Sequence, residues 1–299
     1  MLLNSQTLCF EWLRSKKGKI KPSTYDKYDM ILNKYLLDFF NSYHLDQLDI
    51  SIIKNYFISL LNQGLSSSVV QSIKNVLKAI YITYENQYGF NHIDFSLVKI
   101  EQEKKENASL LDEQFNQLHQ YCLNTIDAIH LGILLAMDTG MMIGEICALK
   151  VSDIDLNKKM ISITKKTQRV KNEESGSKTV YEVADVEWPI KRNIAIPQSL
   201  IQYLEIYLKD KNKNDYLLSN NQHASDFKKL QRGLDKITQQ LGFKTTYKDL
   251  RNMYKEHCMK KCLDVNVVME LLGLQSMKLS LPQNYNSSDE EKIKQINKL

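Results

Sequence analysis

The chain has 299 residues, 43% of them hydrophobic, enough for two domains of ordinary size with a core each. With only 10 Gly and 4 Pro, a turn-rich all-β fold is excluded and a mainly helical one is favoured. A net charge of +5 is compatible with nucleic acid without requiring it, and no apolar run reaches membrane-spanning length.

The five cysteines are scattered, which argues for reduced thiols and a cytoplasmic setting. Cys258 and Cys262 stand one helical turn apart, but no second ligand pair accompanies them, so the spacing argues against a metal site. The N-terminus lacks the basic-then-apolar pattern of a signal peptide.

Residues 4–15 read as a short helix with Phe10 and Leu13 inward and Trp12 beside them. A basic loop follows, Lys16-Lys17-Gly18-Lys19-Ile20-Lys21, and feeds a helix capped by Ser23 or Thr24. Tyr28, Ile31, Leu32 and Tyr35 continue that helix as a buried stripe. A third helix covers 50–63 and ends at Gly64; a fourth starts within Ser66–Ser68. Val70, Ile73, Leu77 and Ile80 form the core face of the fourth, while Gln71, Lys74 and Lys78 recur on another face. Such a stripe suits phosphate and base-edge contacts in a major groove, and equally a solvated face. The loop adds a second cationic surface, so the candidate DNA contacts are Lys16, Lys17, Lys19, Lys21, Thr24, Gln71, Lys74 and Lys78. Residues 100–108 are charged and aperiodic, and read as a linker after a helical domain over 1–99.

Beyond the linker, helices are expected from Leu110 and over 126–138. Thr139-Gly140 breaks the chain before Met142, Ile146 and Leu149, which fall on one apolar face of a helix carrying Glu145. Strands are expected at 160–164, 179–183 and 193–197, then helices at 199–209 and 224–240. Thr246 and Asp249 form a capping-box signature ahead of a helix on which Lys248 and Arg251 share a face, backed by Leu250, Met253, Tyr254 and Cys258. Asp264 can cap the next helix and Gly273 can end it. Tyr285 follows in a polar segment, and Asp289–Leu299 reads as an amphipathic tail helix with Ile293, Ile296 and Leu299 aligned. Two cations and a downstream phenol suit phosphodiester chemistry; alone, the same cations also suit a solvated helix face.

The order of these pieces resembles the tyrosine recombinase (phage integrase) family over nearly the whole chain. The resemblance rests on Lys21-Pro-Ser-Thr-Tyr25 and Gly64-Leu-Ser-Ser-Ser-Val-Val70 in the first part. In the second it rests on Thr139-Gly-Met-Met-Ile-Gly-Glu-Ile-Cys-Ala-Leu-Lys150, a three-stranded element, Asp249-Leu-Arg251, Leu271-Leu-Gly273 and Tyr285. It implies an α+β fold, mainly α with a small antiparallel β-sheet. A helical core-binding domain (1–99) would precede a catalytic domain (109–286) and a tail helix (287–299), with no arm-site-binding domain ahead of them. It also implies cleavage of double-stranded DNA without metal or nucleotide cofactor. A tyrosine attacks the phosphate, two arginines neutralise the phosphorane, and a hairpin lysine protonates the leaving oxygen.

Carried over residue by residue, Tyr285 stands at the nucleophile, Arg251 at the second arginine and Lys248 where the family has histidine or lysine. Met142 replaces the first arginine, Asn252 a frequent histidine, and Leu274 a histidine or tryptophan. The hairpin lysine is missing from Val186-Glu-Trp-Pro-Ile190, with Lys178 and Lys191 nearest to it, and none of the six histidines falls at a catalytic position. Met142 reads as core, and Leu274 as a residue packing back on the helix that Gly273 ends. The resemblance therefore implies a site-specific recombinase of a phage or other mobile element, with strand cleavage impaired or lost. A non-catalytic accessory or regulatory DNA-binding protein is the alternative. Family members form tetramers on DNA and exchange a C-terminal helix, so a homo-tetramer or association with an active integrase is expected; no membrane partner is.

Overall fold

The computed structural model describes residues 4–101, 110–170, 180–187, 189–261, 263–274 and 288–297. Tyr285, Lys178 and most of the linker lie outside the described residues. The chain divides into two compact units, an N-terminal one of residues 1–106 with 170–180 and a C-terminal one of residues 107–169 with 181–299.

The N-terminal unit is built from α1 (Ser5–Lys16), α2 (Pro22–Ile31), α3 (Leu37–Ser42), α4 (Ile50–Asn62) and α5 (Ser67–Tyr88), with a π-helical turn at Leu32–Leu36 joining α2 to α3. Helix α5 behaves as its pattern demands: Val70, Ile73, Leu77 and Ile80 are all buried, and Gly89 ends it in the left-handed conformation. Trp12 joins this core with its ring 5.4 Å from that of Tyr28. Leu8 and Cys9 are buried from α1, whereas Phe10 is only half-buried. The cap of α2 is Lys21, not Ser23 or Thr24, because Pro22 sits at the first helical position, where its missing N–H costs nothing.

The C-terminal unit is organised around α7 (Ala128–Thr139), which is apolar on nearly all sides. Around it pack α6 (Asp112–Leu123), α8 (Ile143–Ala148), α10 (Phe227–Gln240) and α11 (Tyr247–Lys260). Three antiparallel strands, β1 (Ile154–Asp155), β2 (Met160–Ile163) and β5 (Arg192–Ala195), run in the order β1-β2-β5, with Ile161 opposite Ile194 and Met160 opposite Ala195. A second sheet pairs β3 (Lys165–Val170) with β4 (Val180–Asp185); the sequence pattern assigned no strand to β3, whose run Lys-Lys-Thr-Gln-Arg-Val carries too few apolar residues to alternate. Helices α9 (Gln198–Tyr207), α12 (Val265–Leu272) and α13 (Asp289–Ile296) complete the unit. The tail helix α13 packs on β5 of its own chain. Its Lys292 side chain, 2% exposed, pairs with Glu270 of α12 at 2.7 Å, and Ile296 is buried beside it.

Candidate functional site

Two helix ends and one arginine make the centre of the site. Helix α11 starts where the capping box sets it: Asp249 donates its N–H to the Thr246 hydroxyl at 3.3 Å, and the Asp249 carboxylate accepts from the Thr246 N–H at 3.0 Å. One turn on, Arg251 is half-buried. Its Nη1 donates to the Gly140 carbonyl at 2.6 Å and its Nη2 to the Leu272 carbonyl at 2.5 Å. Gly140 ends α7 at φ +64°, and Gly273 ends α12 at φ +61°. Arg251 therefore fastens together the C-terminal ends of two helices, whose last carbonyls lack helical partners. Burial lowers the proton affinity of this guanidinium; Glu145 offsets part of that loss and Arg192 adds to it.

Met142 follows Gly140 by two residues and Leu274 follows Leu272 by two, Gly140 and Leu272 being the residues whose carbonyls Arg251 holds; the charged groups that act on its guanidinium are Glu145 and Arg192. Leu274 does pack back: its N–H bonds the Met269 carbonyl and the Gly273 N–H the Glu270 carbonyl, both at 2.9 Å, and its side chain lies against the core. Met142 differs from the sequence reading. It is the cap ahead of α8, half-buried, and its N–H donates to Glu145 at 2.8 Å, so the helix begins one residue later. Met141 takes the core position instead, fully buried. Lys248 and Asn252 are exposed on α11, and Lys191 is exposed beside β5.

A buried ion pair lies under this site, and the sequence reading missed it. Arg192 of β5 meets Glu145 of α8 in a bidentate pair, Nη1 to Oε1 at 2.7 Å and Nη2 to Oε2 at 3.0 Å, with side chains 1% and 0% exposed. Its Nε also donates to the Leu271 carbonyl at 2.7 Å and its Nη1 to that of Ile190 at 2.8 Å. Arg192 is thus a structural clasp joining α8, β5 and α12, with its donors held inside the protein. Glu145 within the apolar run 141–149 was a usable sequence signal, because a lone charge in such a run is rarely buried without a partner, whereas Arg192 stands between Lys191 and Asn193 and gave none.

The expected DNA contacts separate into two sets. Lys17, Lys19 and Lys21 are exposed in the loop between α1 and α2, and Lys78 is exposed on α5. Thr24 and Gln71 are half-buried, and Gln71 donates to Asn75 at 3.0 Å. Lys16 lies over the Trp12 ring at 5.2 Å. Lys74 turns inward and donates to the Val98 carbonyl at 2.5 Å, with burial first and Lys78 second lowering its pKa. It is a brace within the unit, because that carbonyl needs a donor. The sequence reading also passed over α10, where Lys228, Lys229, Arg232 and Lys236 are exposed opposite the buried Leu230, Leu234 and Ile237. The four-residue spacing of 228, 232 and 236 was a usable signal for one cationic face. Among the described residues no group of three or more metal-ligating side chains converges, and no helix is long and apolar enough to cross a membrane.

Comparison with known proteins gives consistent matches. The phage integrase family profile matches residues 108–292, and that of the phage integrase N-terminal SAM-like domain matches residues 6–61. The tyrosine recombinase XerC-like protein of Caldanaerobacter subterraneus is 26% identical over 89% of this chain and 74% of its own length. Tyrosine recombinase XerA of Pyrococcus furiosus is 25% identical over 93% and 88%. Among solved structures, the Tn1549 transposon integrase in complex with transposon right end DNA superposes with a TM-score of 0.75, at 15% identity over 97% of each chain. A lambda integrase dimer bound to a COC′ core site gives 0.64, at 15% identity over 91% of this chain and 74% of that one.

Proposed function

Because the chain belongs to the phage integrase family, as the match over residues 108–292 establishes, we propose that it binds double-stranded DNA as a recombinase of a mobile element whose strand cleavage through Tyr285 is impaired or lost. One observation carries this reading: the Arg251 guanidinium is committed to two backbone carbonyls, while Met142 and Leu274 stand at positions where the family resemblance would place phosphate ligands. A phosphorane needs several preorganised donors, and loss of one typically costs on the order of 10²–10³ in rate. By the family resemblance, the first arginine, the hairpin lysine and a third phosphate ligand are replaced here. Their losses do not simply add, but together they would reduce cleavage well beyond the loss of any one. DNA affinity is less sensitive, because it is spread over many phosphate contacts. Lys17, Lys19, Lys21 and Lys78 would supply such contacts in one unit, and the cationic face of α10 in the other.

The test begins with selection of a bound duplex from a random pool. A nick is then placed in that duplex to trap any covalent intermediate. The expected result is tight binding with no adduct surviving denaturation, indistinguishable from Tyr285→Phe and unchanged by Met142→Arg alone. An adduct that the wild type forms and Tyr285→Phe loses would overturn the impaired reading. Binding that does not weaken with rising salt would sink the DNA reading itself. Substituting Lys228 and Arg232 by Gln should lower the slope of log affinity against log salt by about 0.9 for each phosphate no longer neutralised.

A further inference from the structure

We propose that His119 and Asp138 form a positioning device for Arg251: while His119 carries a proton, the pair holds the end of α7 so that the Gly140 carbonyl stays within reach of the guanidinium. The inference takes its consequence for DNA from the reading of Arg251 as a phosphate ligand, but the coupling is a property of the free chain.

The geometry runs through one cavity of about 510 Å³, lined by α6, α7, α11 and the start of α9. His119 of α6 donates its Nε2–H to Asp138 Oδ1 of α7 at 2.8 Å, with the side chains 17% and 10% exposed. Oδ2 of Asp138 is buried without a hydrogen-bond partner, so His119 is the direct neutraliser of this carboxylate. Asp138 precedes Gly140 by two residues, and Gly140 accepts the hydrogen bond of Arg251. Tyr254 closes the link. It lines the same cavity, its ring sits where a Cβ on Gly140 would fall 2.4 Å away, and it lies one turn beyond Arg251 on α11.

The other charged or titratable groups around the pair include the buried Tyr254 of α11, which feels the Asp138 charge, with Cys258 next to it. Asp112 and Cys122 come from α6 itself; His257, Lys260 and Lys261 come from α11, where Asp112 accepts from His257 at 3.1 Å and from Lys260 at 2.8 Å. Those contacts tie the start of α6 to the far end of α11 and leave Asp138 to His119. Burial works against the charged form of His119, yet its hydrogen bond to Asp138 and the carboxylate charge outweigh burial and raise its pKa above the ordinary histidine value. A raised value fixes the sign. The stabilisation is fully present below the ordinary histidine pKa and is lost as pH rises through the folded-state value. Above it a neutral imidazole faces a buried carboxylate, and the bond loses its charge assistance.

The experiment uses the full chain without DNA, labelled with ¹⁵N-arginine. The Arg251 Nε–H resonance is assigned through Arg251→Lys and followed from about pH 5.5 to 8.5, the window that spans a histidine titration. In the wild type it should shift with the same midpoint as the His119 ring, and the shift should vanish in both His119→Gln and Asp138→Asn. A flat resonance in the wild type, or a titration that persists in either variant, overturns the proposal. Should one variant fail to fold, the wild-type comparison with the His119 ring and the other variant decide. A separate arm measures DNA affinity at constant salt, where the wild type should weaken about threefold more than His119→Gln between pH 6 and 8, the loss of one modest hydrogen bond. Failure to bind DNA would defeat the functional reading and leave the coupling standing; a flat resonance would do the reverse.

Discussion

Replacing Arg192 by methionine lowers the stability of the C-terminal unit by about 3–5 kcal/mol, the cost of leaving a buried charge without its partner. Glu145 is fully buried, and its carboxylate faces Arg192 and the Met142 N–H. Removing the guanidinium also orphans the carbonyls of Leu271 and Ile190. Glu145→Gln should also destabilise, because the buried Arg192 guanidinium then loses its counter-charge, although an amide oxygen can still accept a hydrogen bond. The double variant Arg192→Met, Glu145→Gln should therefore recover part of the loss. Urea unfolding read with a probe in the C-terminal unit checks this. A loss below about 1 kcal/mol for Arg192→Met would place the pair with exposed, weakly coupled ones and sink the clasp argument.

The second large effect is expected at Gly140. Alanine there must keep φ near +64°, which costs an L-residue about 1–2 kcal/mol. Its Cβ would also lie 2.4 Å from Tyr254 Cδ1 and 2.8 Å from Leu272 Cδ2, two buried side chains that would have to shift, for about 1–3 kcal/mol more. Together the two effects come to roughly 2–5 kcal/mol. Gly242 separates them: it has φ +83° and nothing within 4 Å of its added Cβ, so Gly242→Ala should show the backbone cost alone. Equal losses in the two variants would mean that the steric account of Gly140 is wrong. Gly140→Ala should also displace the carbonyl that Arg251 holds, and so shift the Arg251 resonance even at fixed pH.

Local signals were legible in the sequence where one residue's chemistry decides one turn of backbone. The core face of α5, the Thr246–Asp249 box, and the Asp264 start and Gly273 end of α12 all follow from short spacings. The residues around Arg251 were legible through the family pattern, and Tyr285 lies outside the described residues. What the sequence concealed is non-local. Glu145 and Arg192 are 47 positions apart, and periodicity can place each on an element without showing that they meet. Lys74 fits an exposed stripe until the Val98 carbonyl, 24 residues on, is seen to need a donor. Met142 sits one position away from the core place its spacing suggests, because Glu145 caps its own helix and pushes Met141 into the core.

The two carbonyls that Arg251 holds give this arginine a structural use of its own. An arginine that ties the ends of α7 and α12 together is useful whether or not a phosphate ever arrives. Surveys that score catalytic competence by counting surviving cations would credit this chain with a residue whose upkeep folding alone can explain. Exposed residues such as Lys248, whose side chain makes no hydrogen bond or ion pair among the described residues, are the better witnesses to whether the chemistry is still in use.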